Sequence, residues 1–210
     1  MTTFAYKISG MNRKRKFDEF LSICAPAAST TILDVGFSDE EYSATDNYLE
    51  KNYAHPENIT ALGINKPVKF PQRYPMVKVV QYDGKTFPFK DNAFDIVWSN
   101  AVIEHVGPEP RQVQFLKEIN RVAKQKVFIT TPNKLFPVEV HTRTPFLHWL
   151  PKKAFDRYLH LIGKQWAAGD YMYLITISRM KRMLAEAGIT DYTIIKNRLC
   201  GLVLDYVVTW

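Results

Sequence analysis

Four short apolar runs in the sequence end in residues that can bind or position a ligand. Each run is rich in strand-forming residues and ends at, or just before, a glycine, an amide or a carboxylate. These terminal residues are Gly36, Asn65, Asp83 and Asn100. Asp34 lies two residues before Gly36 in "ILDVG", and Gly84 follows Asp83 in a turn dipeptide. The residue types indicate a site for a polar small molecule.

Two pairs of acidic and histidine residues indicate proton transfer. Glu139 and His141 are two residues apart, so an extended segment places them on one face. A histidine held by a carboxylate can remove a proton from a reacting hydroxyl, although a histidine bonded to backbone explains His141 equally well. Glu104-His105 follows the fourth run, and His105 is either a base or a structural histidine. A metal site of Glu139, His141 and His148 rests on spacing alone, so we expect no metal.

The elements that must position these residues follow from the periodicity of the chain. Strands are predicted at 30–36, 59–64, 76–82, 94–100 and 126–132, followed by two closing strands in "YTIIKNRL" and "LVLDYVVTW". Helices are predicted at 11–23, 39–53, 112–123 and 178–188, with Pro26 ending the first and Ser178 and Gly188 bounding the last. Short apolar strands alternating with helices predict an α/β fold, a doubly wound and mostly parallel sheet with helices on both faces. Ligands bind beyond the carboxyl ends of such strands.

Residues 133–170 do not fit this alternation. They have no clean periodicity, three prolines and many aromatic residues. We predict a lid or substrate-binding insertion within a single domain of residues 1–210. Residues 144–166 mix aromatic and basic side chains, which suits either a lid over the mouth of the site or contact with a membrane surface.

Composition restricts the range of functions. The 210 residues fit one domain, and the net charge of +7 includes one tight basic run, Arg13–Lys16, which we interpret as a solvated helix face rather than a nucleic-acid site. Cys24 and Cys200 are far apart in apolar stretches and are expected to pack as small hydrophobic residues. The chain shows no signal peptide and no run that spans a bilayer, so a cytoplasmic protein is expected. The oligomeric state is not indicated.

Three stretches together resemble a known family. They are "ILDVG", "DGKTFPFKDNAFDIVWSNAVIEHV" and "FLKEINRVAKQKVFITTPN", and they cover about residues 30 to 133. The chain resembles the class I S-adenosylmethionine-dependent methyltransferases of type 11. The middle stretch is the most specific, because an acidic residue, F-P-F, D-x-x-F-D and E-H occur in the family's order.

The resemblance implies a seven-stranded sheet with its last strand antiparallel, and S-adenosylmethionine as cofactor. It implies that Asp34, Gly36 and Phe37 line the methionine end of the cofactor and that Asn65 binds the ribose. Asp83, with Gly84 in the same turn, would meet the adenine amine. Asn100 and Ala101 would run beside the cofactor, and His105 would shape its pocket.

Two departures from the family bear on this assignment. The usual G-x-G-x-G is reduced to Gly36, and Asn65 stands where the family usually has a carboxylate. "FSDEEYSATDNYLEKNYAHPENIT" resembles a bacterial subgroup with a variant first loop, in which Ser38 and Asn47 are expected to replace the contacts of the missing glycines.

The sequence therefore predicts a methyltransferase with an oxygen or nitrogen acceptor on a small molecule or glycan, and no nucleic-acid partner. The alternative is a catalytically silent module that keeps the fold and binds a nucleoside. The missing glycines and Asn65 motivate that alternative.

Overall fold

The computed structural model describes residues 4–210, with the side chains from residue 8 onward. Its strands are β1 Ile32–Val35, β2 Ile59–Gly63, β3 Lys78–Gln81, β4 Phe94–Asn100, β5 Ala123–Pro132, β6 Thr193–Leu199 and β7 Leu202–Thr209. Its helices are α1 Phe4–Cys24, α2 Tyr48–Asn52, α3 Phe70–Arg73, α4 Glu109–Val122, α5 Lys152–Leu161 and α6 Ile177–Glu186.

The strands form one sheet in the order β3-β2-β1-β4-β5-β7-β6. β1 pairs in parallel with both β2 and β4, and β2 pairs in parallel with β3, whereas β6 and β7 are antiparallel. Every residue of β1 and β2 is buried, so buried and exposed positions do not alternate along these strands. This is expected when helices cover both faces of a parallel sheet. The predicted fold class, including the antiparallel strand pair at the end of the chain, is confirmed. The strand order reverses at β1 and β4, which is where this architecture binds ligands.

The chain divides into two compact units. The first contains residues up to Trp98 together with Arg121–Phe128, and the second contains Ser99–Asn120 and Ile129–Trp210. In the first unit Trp98 stacks on Phe128 at a ring separation of 5.1 Å, and Phe20 of α1 packs edge-on against Trp98 at 4.9 Å. These large buried rings fix α1 against the sheet through the apolar surface that they remove from water.

The second unit has an apolar cluster within the insertion that the sequence does not predict. Phe155 and Leu159 of α5 pack with Ala167 and Met172. The regular helix α5 is a structural element that the periodicity of residues 133–170 does not reveal. Among the helices of residues 4–210, none is long and apolar enough to cross a bilayer.

The predicted helix 39–53 is wrong over most of its length, because only Tyr48–Asn52 is helical. The Asp46 carboxylate accepts hydrogen bonds from the backbone N–H groups of Tyr42 and Ser43, and Asn47 has a left-handed φ of 50°. Side chains that satisfy local backbone groups compete with the helix, so the segment forms turns instead. Tyr42, within the predicted helix, is 83% exposed.

The boundary of the last helix also differs from the prediction. The hydroxyl of Thr176, not that of Ser178, accepts the backbone N–H of Arg179 and caps α6. The helix then starts one residue before Ser178. Gly188 has a φ of 80°, the left-handed conformation that commonly follows a helix end.

Two surface assignments are corrected as well. The basic run is not a fully solvated face, because Lys16 is 5% exposed and Arg13 donates to the Thr45 carbonyl at 2.6 Å. Cys200 does not pack as a small hydrophobic residue, because it lies exposed in the β6–β7 turn with a φ of 49°.

Candidate functional site

The turn after β1 is built around Gly36. Its φ is 105°, a conformation that residues with a side chain rarely adopt, and its N–H donates to the Leu62 carbonyl of β2 at 2.8 Å. The bond continues the parallel β1–β2 ladder by one residue and fixes where the chain leaves the sheet. The other glycines of the motif are absent, but the backbone geometry at Gly36 still requires glycine.

Asp34 of β1 forms a buried carboxyl pair with Glu50 of α2. Both side chains are almost inaccessible, at 6% and 5% exposure. Burial, then the charge and hydrogen bond of Glu50, raises the pKa of Asp34 well above its usual range. Burial also raises the pKa of Glu50. Two carboxyl groups this close cannot both ionise at low cost, so the pair favours retaining one proton. Glu50 is a site residue that the sequence analysis did not assign.

The first loop, residues 36–47, is closed by the side chain of Asn47. Its Oδ1 accepts the Ser38 N–H at 2.9 Å, and its Nδ2 donates to the Ser38 carbonyl at 2.8 Å. Nδ2 also donates to Oε1 of Glu41 at 3.0 Å. The Asn47 amide therefore bonds to the backbone of Ser38 and positions the loop. We had predicted that this amide contacts the ligand directly.

The same loop is fixed to the segment before α3 by Asp39. One carboxylate oxygen of Asp39 accepts the N–H groups of Val68, Lys69 and Phe70 at 2.8 to 2.9 Å. The three hydrogen bonds, that of Phe70 first, lower the pKa of Asp39. A charged acceptor at the first turn of a helix is favourable because the terminal N–H groups lack partners within the helix.

Phe37 and Gly63 fit one another beyond the ends of β1 and β2. A Cβ atom added at Gly63 would lie 2.6 Å from a ring carbon of Phe37, and the Phe37 ring is 4.5 Å from that of Phe70. The close approach explains why β2 ends in glycine. It also places the Phe37 ring against the backbone just before Asn65.

Asn65 and Asp83 follow residues that are paired across β2 and β3, since Gly63 pairs with Gln81. Both Asn65 and Asp83 are exposed. The Asp83 carboxylate accepts the N–H groups of Lys85 at 2.9 Å and Thr86 at 3.4 Å, and these bonds, that of Lys85 first, lower its pKa. The turn depends on Gly84, which has a φ of 79°.

The end of β4 lies in the second unit, where Asn100 and Ala101 contact β5. Oδ1 of Asn100 accepts the Thr130 hydroxyl at 2.7 Å, and the Ala101 N–H donates to the Thr130 carbonyl at 3.0 Å. Ala101 has a φ of 58°, which is strained for a residue with a side chain. Strain of this kind often marks a functional turn.

A second group of polar residues, the histidine cluster, consists of Glu104, His105, Glu139 and His141. Nε2 of His105 and Nε2 of His141 are 3.1 Å apart, and the two rings are perpendicular. Nδ1 of His141 is 2.7 Å from Oε1 of Glu139, and Nδ1 of His105 is 2.7 Å from the Tyr171 carbonyl. The structure therefore brings together the two acid–histidine pairs, which are 36 residues apart in sequence.

Glu139 is an ionised carboxylate in this cluster. Burial pushes its pKa up, but hydrogen bonds from His141 and Thr142, with the charge of His141, outweigh burial and lower the pKa to about 2. Its second oxygen accepts both the N–H and the hydroxyl of Thr142. With this many donors the carboxylate holds its charge and fixes the orientation of the His141 ring.

Glu104 is completely buried beside the two imidazoles. Its Oε2 accepts the Thr131 hydroxyl at 3.0 Å, and its Oε1 lies 3.9 Å from Nε2 of His141. Among the side chains that the structure describes, Oε1 of Glu104 has no hydrogen-bond partner. His148 was the other histidine in the metal set that spacing alone suggested. Its Nε2 lies 2.9 Å from the Phe136 carbonyl, and His148 does not join the cluster.

The insertion exposes several large apolar side chains. Trp166 packs edge-on against Tyr171 at 5.4 Å, and the Tyr171 ring lies 4.8 Å from that of His105. Phe146 and Trp149 form a second exposed pair at 5.1 Å. Tyr171 is a site residue that lies outside the predicted insertion and was not assigned from sequence, because nothing local marks its contact with His105.

Nearly half of the sequence matches the model of a known family. Residues 33–130 match the sequence model of a family described as "Methyltransferase domain", of type 11. The match confirms the resemblance drawn from the motifs, and it covers Asp34, Gly36 and the polar residues at the ends of β2, β3 and β4.

Solved structures with the same fold share little sequence with this chain. An S-adenosylmethionine-dependent methyltransferase from Mesorhizobium loti is 12% identical, with a TM-score of 0.60, and the alignment covers 92% of this chain and 96% of that one. A SAM-dependent methyltransferase from Aquifex aeolicus is 17% identical, with a TM-score of 0.55 and coverages of 91% and 87%. The YcgJ protein of Bacillus subtilis is 14% identical, with a TM-score of 0.59 and coverages of 87% and 71%. No curated protein matches the sequence.

Proposed function

We propose that this protein transfers a methyl group from S-adenosylmethionine to an oxygen or nitrogen atom of a small-molecule or glycan-type acceptor. The observation that carries the proposal is the turn after β1 of the methyltransferase domain, where a positive-φ glycine follows a buried acidic residue. Solved structures of the same fold are described as S-adenosylmethionine-dependent methyltransferases.

The cofactor's methionine end is assigned to Asp34, Gly36 and the first loop. The Asp34–Glu50 pair supplies one negative charge, which suits the ammonium group of the cofactor. Asn47 closes the first loop around the Ser38 backbone, which supports the role of a substitute for the missing glycines. Ser38 then offers its hydroxyl and Phe37 its ring at the edge of that loop.

The nucleoside end is assigned to the residues beyond β2 and β3. Asn65 has an amide oxygen that accepts hydrogen bonds from ribose hydroxyls, and Asp83 has an ionised carboxylate that accepts one from an adenine amine. Exposure of both side chains keeps their second acceptor positions accessible. In the second unit, Asn100, Ala101 and His105 are assigned to the cofactor by the family resemblance.

The chemical step is an in-line displacement. A lone pair of the acceptor atom forms a bond to the methyl carbon, the carbon–sulfur bond breaks, and its electrons remain on sulfur in S-adenosylhomocysteine. The acceptor's proton passes to a base on the acceptor side of the site. Positioning of the acceptor against the sulfonium supplies most of the rate enhancement.

Glu139 and His141 are assigned to the acceptor side, where the proton must leave. The supporting observation is the 2.7 Å contact between Nδ1 of His141 and the ionised Glu139 carboxylate, which leaves Nε2 as the reactive nitrogen of the ring. The exposed Trp166–Tyr171 pair, with Tyr171 in contact with His105, supports a glycan-type acceptor. Flat aromatic rings offer apolar faces on which sugar rings stack.

Calorimetry and a transfer assay test this function. S-adenosylhomocysteine should bind with one site per chain, and a panel of saccharides and small hydroxylated or amino compounds should yield S-adenosylhomocysteine from S-adenosylmethionine. Binding without transfer to any acceptor supports the silent module instead. Absence of binding by either cofactor form contradicts the proposed function and favours a silent module that binds another nucleoside.

A further inference from the structure

The two imidazoles of the histidine cluster face each other through the same type of atom. Nδ1 of His105 is 2.7 Å from the backbone carbonyl of Tyr171, which can only accept, so this nitrogen carries the hydrogen. Nδ1 of His141 is 2.7 Å from Oε1 of Glu139, which also accepts the backbone N–H of His141, so Nδ1 donates to this carboxylate oxygen. In the neutral rings, both Nε2 atoms are then lone-pair acceptors, and they lie only 3.1 Å apart.

Two acceptors at this distance repel unless a proton or a metal cation lies between them. The buried Oε1 of Glu104, which lacks a hydrogen-bond partner among the described residues, is a third acceptor directed to the same place, 3.9 Å from Nε2 of His141. A carboxylate oxygen buried without a partner is costly unless a cation binds it. Oε2 is bonded to Thr131 and fixes the carboxylate.

We propose that Glu104, His105 and His141 bind a divalent first-row transition-metal ion. A site of two neutral imidazoles and one carboxylate binds Zn²⁺, Fe²⁺ or Co²⁺ in preference to Mg²⁺ or Ca²⁺. Two nitrogens that each lie about 2.1 Å from one ion are roughly 3.0 Å apart when they subtend a right angle at it. The observed separation of 3.1 Å matches this geometry.

The surroundings of the three ligands are also those of a metal site. Histidines that bind metals usually donate their other ring N–H to a carboxylate or a backbone carbonyl, and Glu139 and Tyr171 provide one of each. The three ligand atoms lie within 4.8 Å of one another, so the Glu104 carboxylate must close on the imidazoles as the ion binds. Three protein ligands leave positions open for an acceptor.

The consequence for the proposed reaction is specific, and it rests on the proposed function. With the ion bound, Nε2 of His141 is occupied, so His141 acts as a ligand in place of the base assigned to it above, and the acceptor's proton passes to solvent. A cation held here would bind the acceptor's hydroxyl and favour loss of its proton before attack on the methyl group. This selects acceptors with an oxygen nucleophile over those with a neutral amine.

Metal affinity is measured without any cofactor or acceptor. Untagged protein, freed of metal with a chelator, is titrated with Co²⁺ while the visible absorption of the bound ion and the heat of binding are recorded. We expect one Co²⁺ per chain, displaced by Zn²⁺. The variants His105→Ala, His141→Ala and Glu104→Gln should each weaken binding by more than about tenfold, and Glu139→Gln should weaken it by about tenfold by releasing the His141 ring.

The matched control is His160→Ala, which removes an exposed histidine of α5 in the same unit and should leave Co²⁺ affinity unchanged. Circular dichroism of each variant checks the fold. The proposal is overturned if the folded protein binds no Co²⁺, or if the ligand variants bind it as tightly as the control. S-adenosylhomocysteine binding is measured on the same samples, so loss of the metal site and failure of the proposed function are distinguished.

Discussion

At the scale of the residue, the Asp34–Glu50 pair is the feature that departs most from the sequence-based picture. The motif alone suggests that Asp34 is a charged hydrogen-bond acceptor. In the structure burial raises the cost of ionising both carboxyl groups, and the neighbouring Glu50 raises it further at Asp34, so the charge belongs to the pair. A buried pair of this kind trades stability for function, because water would solvate the ionised groups better.

The raised pKa of Asp34 predicts a pH-dependent stability. The unfolded chain releases this proton near pH 4, whereas the folded chain retains it to higher pH. The free energy of unfolding of the wild type should therefore fall as the pH rises above about 4 and through the folded pKa. Asp34→Asn should flatten this decline. Urea unfolding of both proteins across that range measures it.

The control is Asp83→Asn, which removes an exposed carboxylate whose pKa is lowered. Its contribution is lost only as the pH falls below about 4, so this variant should decline with pH as the wild type does. Parallel profiles for the wild type and Asp34→Asn would show that Asp34 ionises normally in the folded protein.

At the scale of the element, the first loop shows how a glycine-poor turn keeps a defined backbone. Asn47, in the left-handed region, closes the loop on Ser38. Asp39 fixes the loop to the start of α3 by accepting three hydrogen bonds there. Polar side chains thus supply the constraint that a tight glycine turn supplies through its short length. The helix predicted over 39–53 is lost because the same polar side chains serve the loop.

Asn47→Gly tests the role of this closure. Glycine accepts the φ of 50° at this position, so the variant removes the side-chain hydrogen bonds to Ser38 and Glu41 without straining the backbone. Affinity for S-adenosylhomocysteine should fall by roughly tenfold, since each bond contributes about 1 kcal/mol. Backbone amides of the first loop should exchange faster with solvent. Asn52→Ala removes an amide that bonds only within α2, and it should change neither measurement. Equal affinities in the two variants would contradict the role given to Asn47.

The insertion is the element that we assign to the acceptor. Trp166→Ala should raise the KM for a saccharide acceptor by about tenfold, because the ring is half exposed beside Tyr171 and available for stacking. Affinity for S-adenosylhomocysteine should not change. Leu161→Ala, at an 85% exposed position of the same insertion, is the control and should leave KM unchanged. A raised KM in both variants, or in neither, would argue against stacking on Trp166.

At the scale of the whole molecule, the sequence predicted the order of strands and helices because strand periodicity and strand-end residues are local signals. β4 is predicted to the residue, and the antiparallel strand pair follows from two apolar runs after a helix. The partners of buried groups were not predictable. Glu50 meets Asp34 and His105 meets His141 only after folding, since 16 and 36 residues separate them, and no local pattern records such contacts.

The most direct test of the account is calorimetric titration of the wild type and Asp34→Ala with S-adenosylhomocysteine. The account predicts one site per chain in the wild type and an affinity weakened by more than about tenfold in the variant, which leaves Glu50 without its partner. Asp95→Ala, at a carboxylate bonded to Thr31 near the start of β1, should bind as the wild type does. No binding by the folded wild type, or equal binding by wild type and Asp34→Ala, would contradict the cofactor site proposed here.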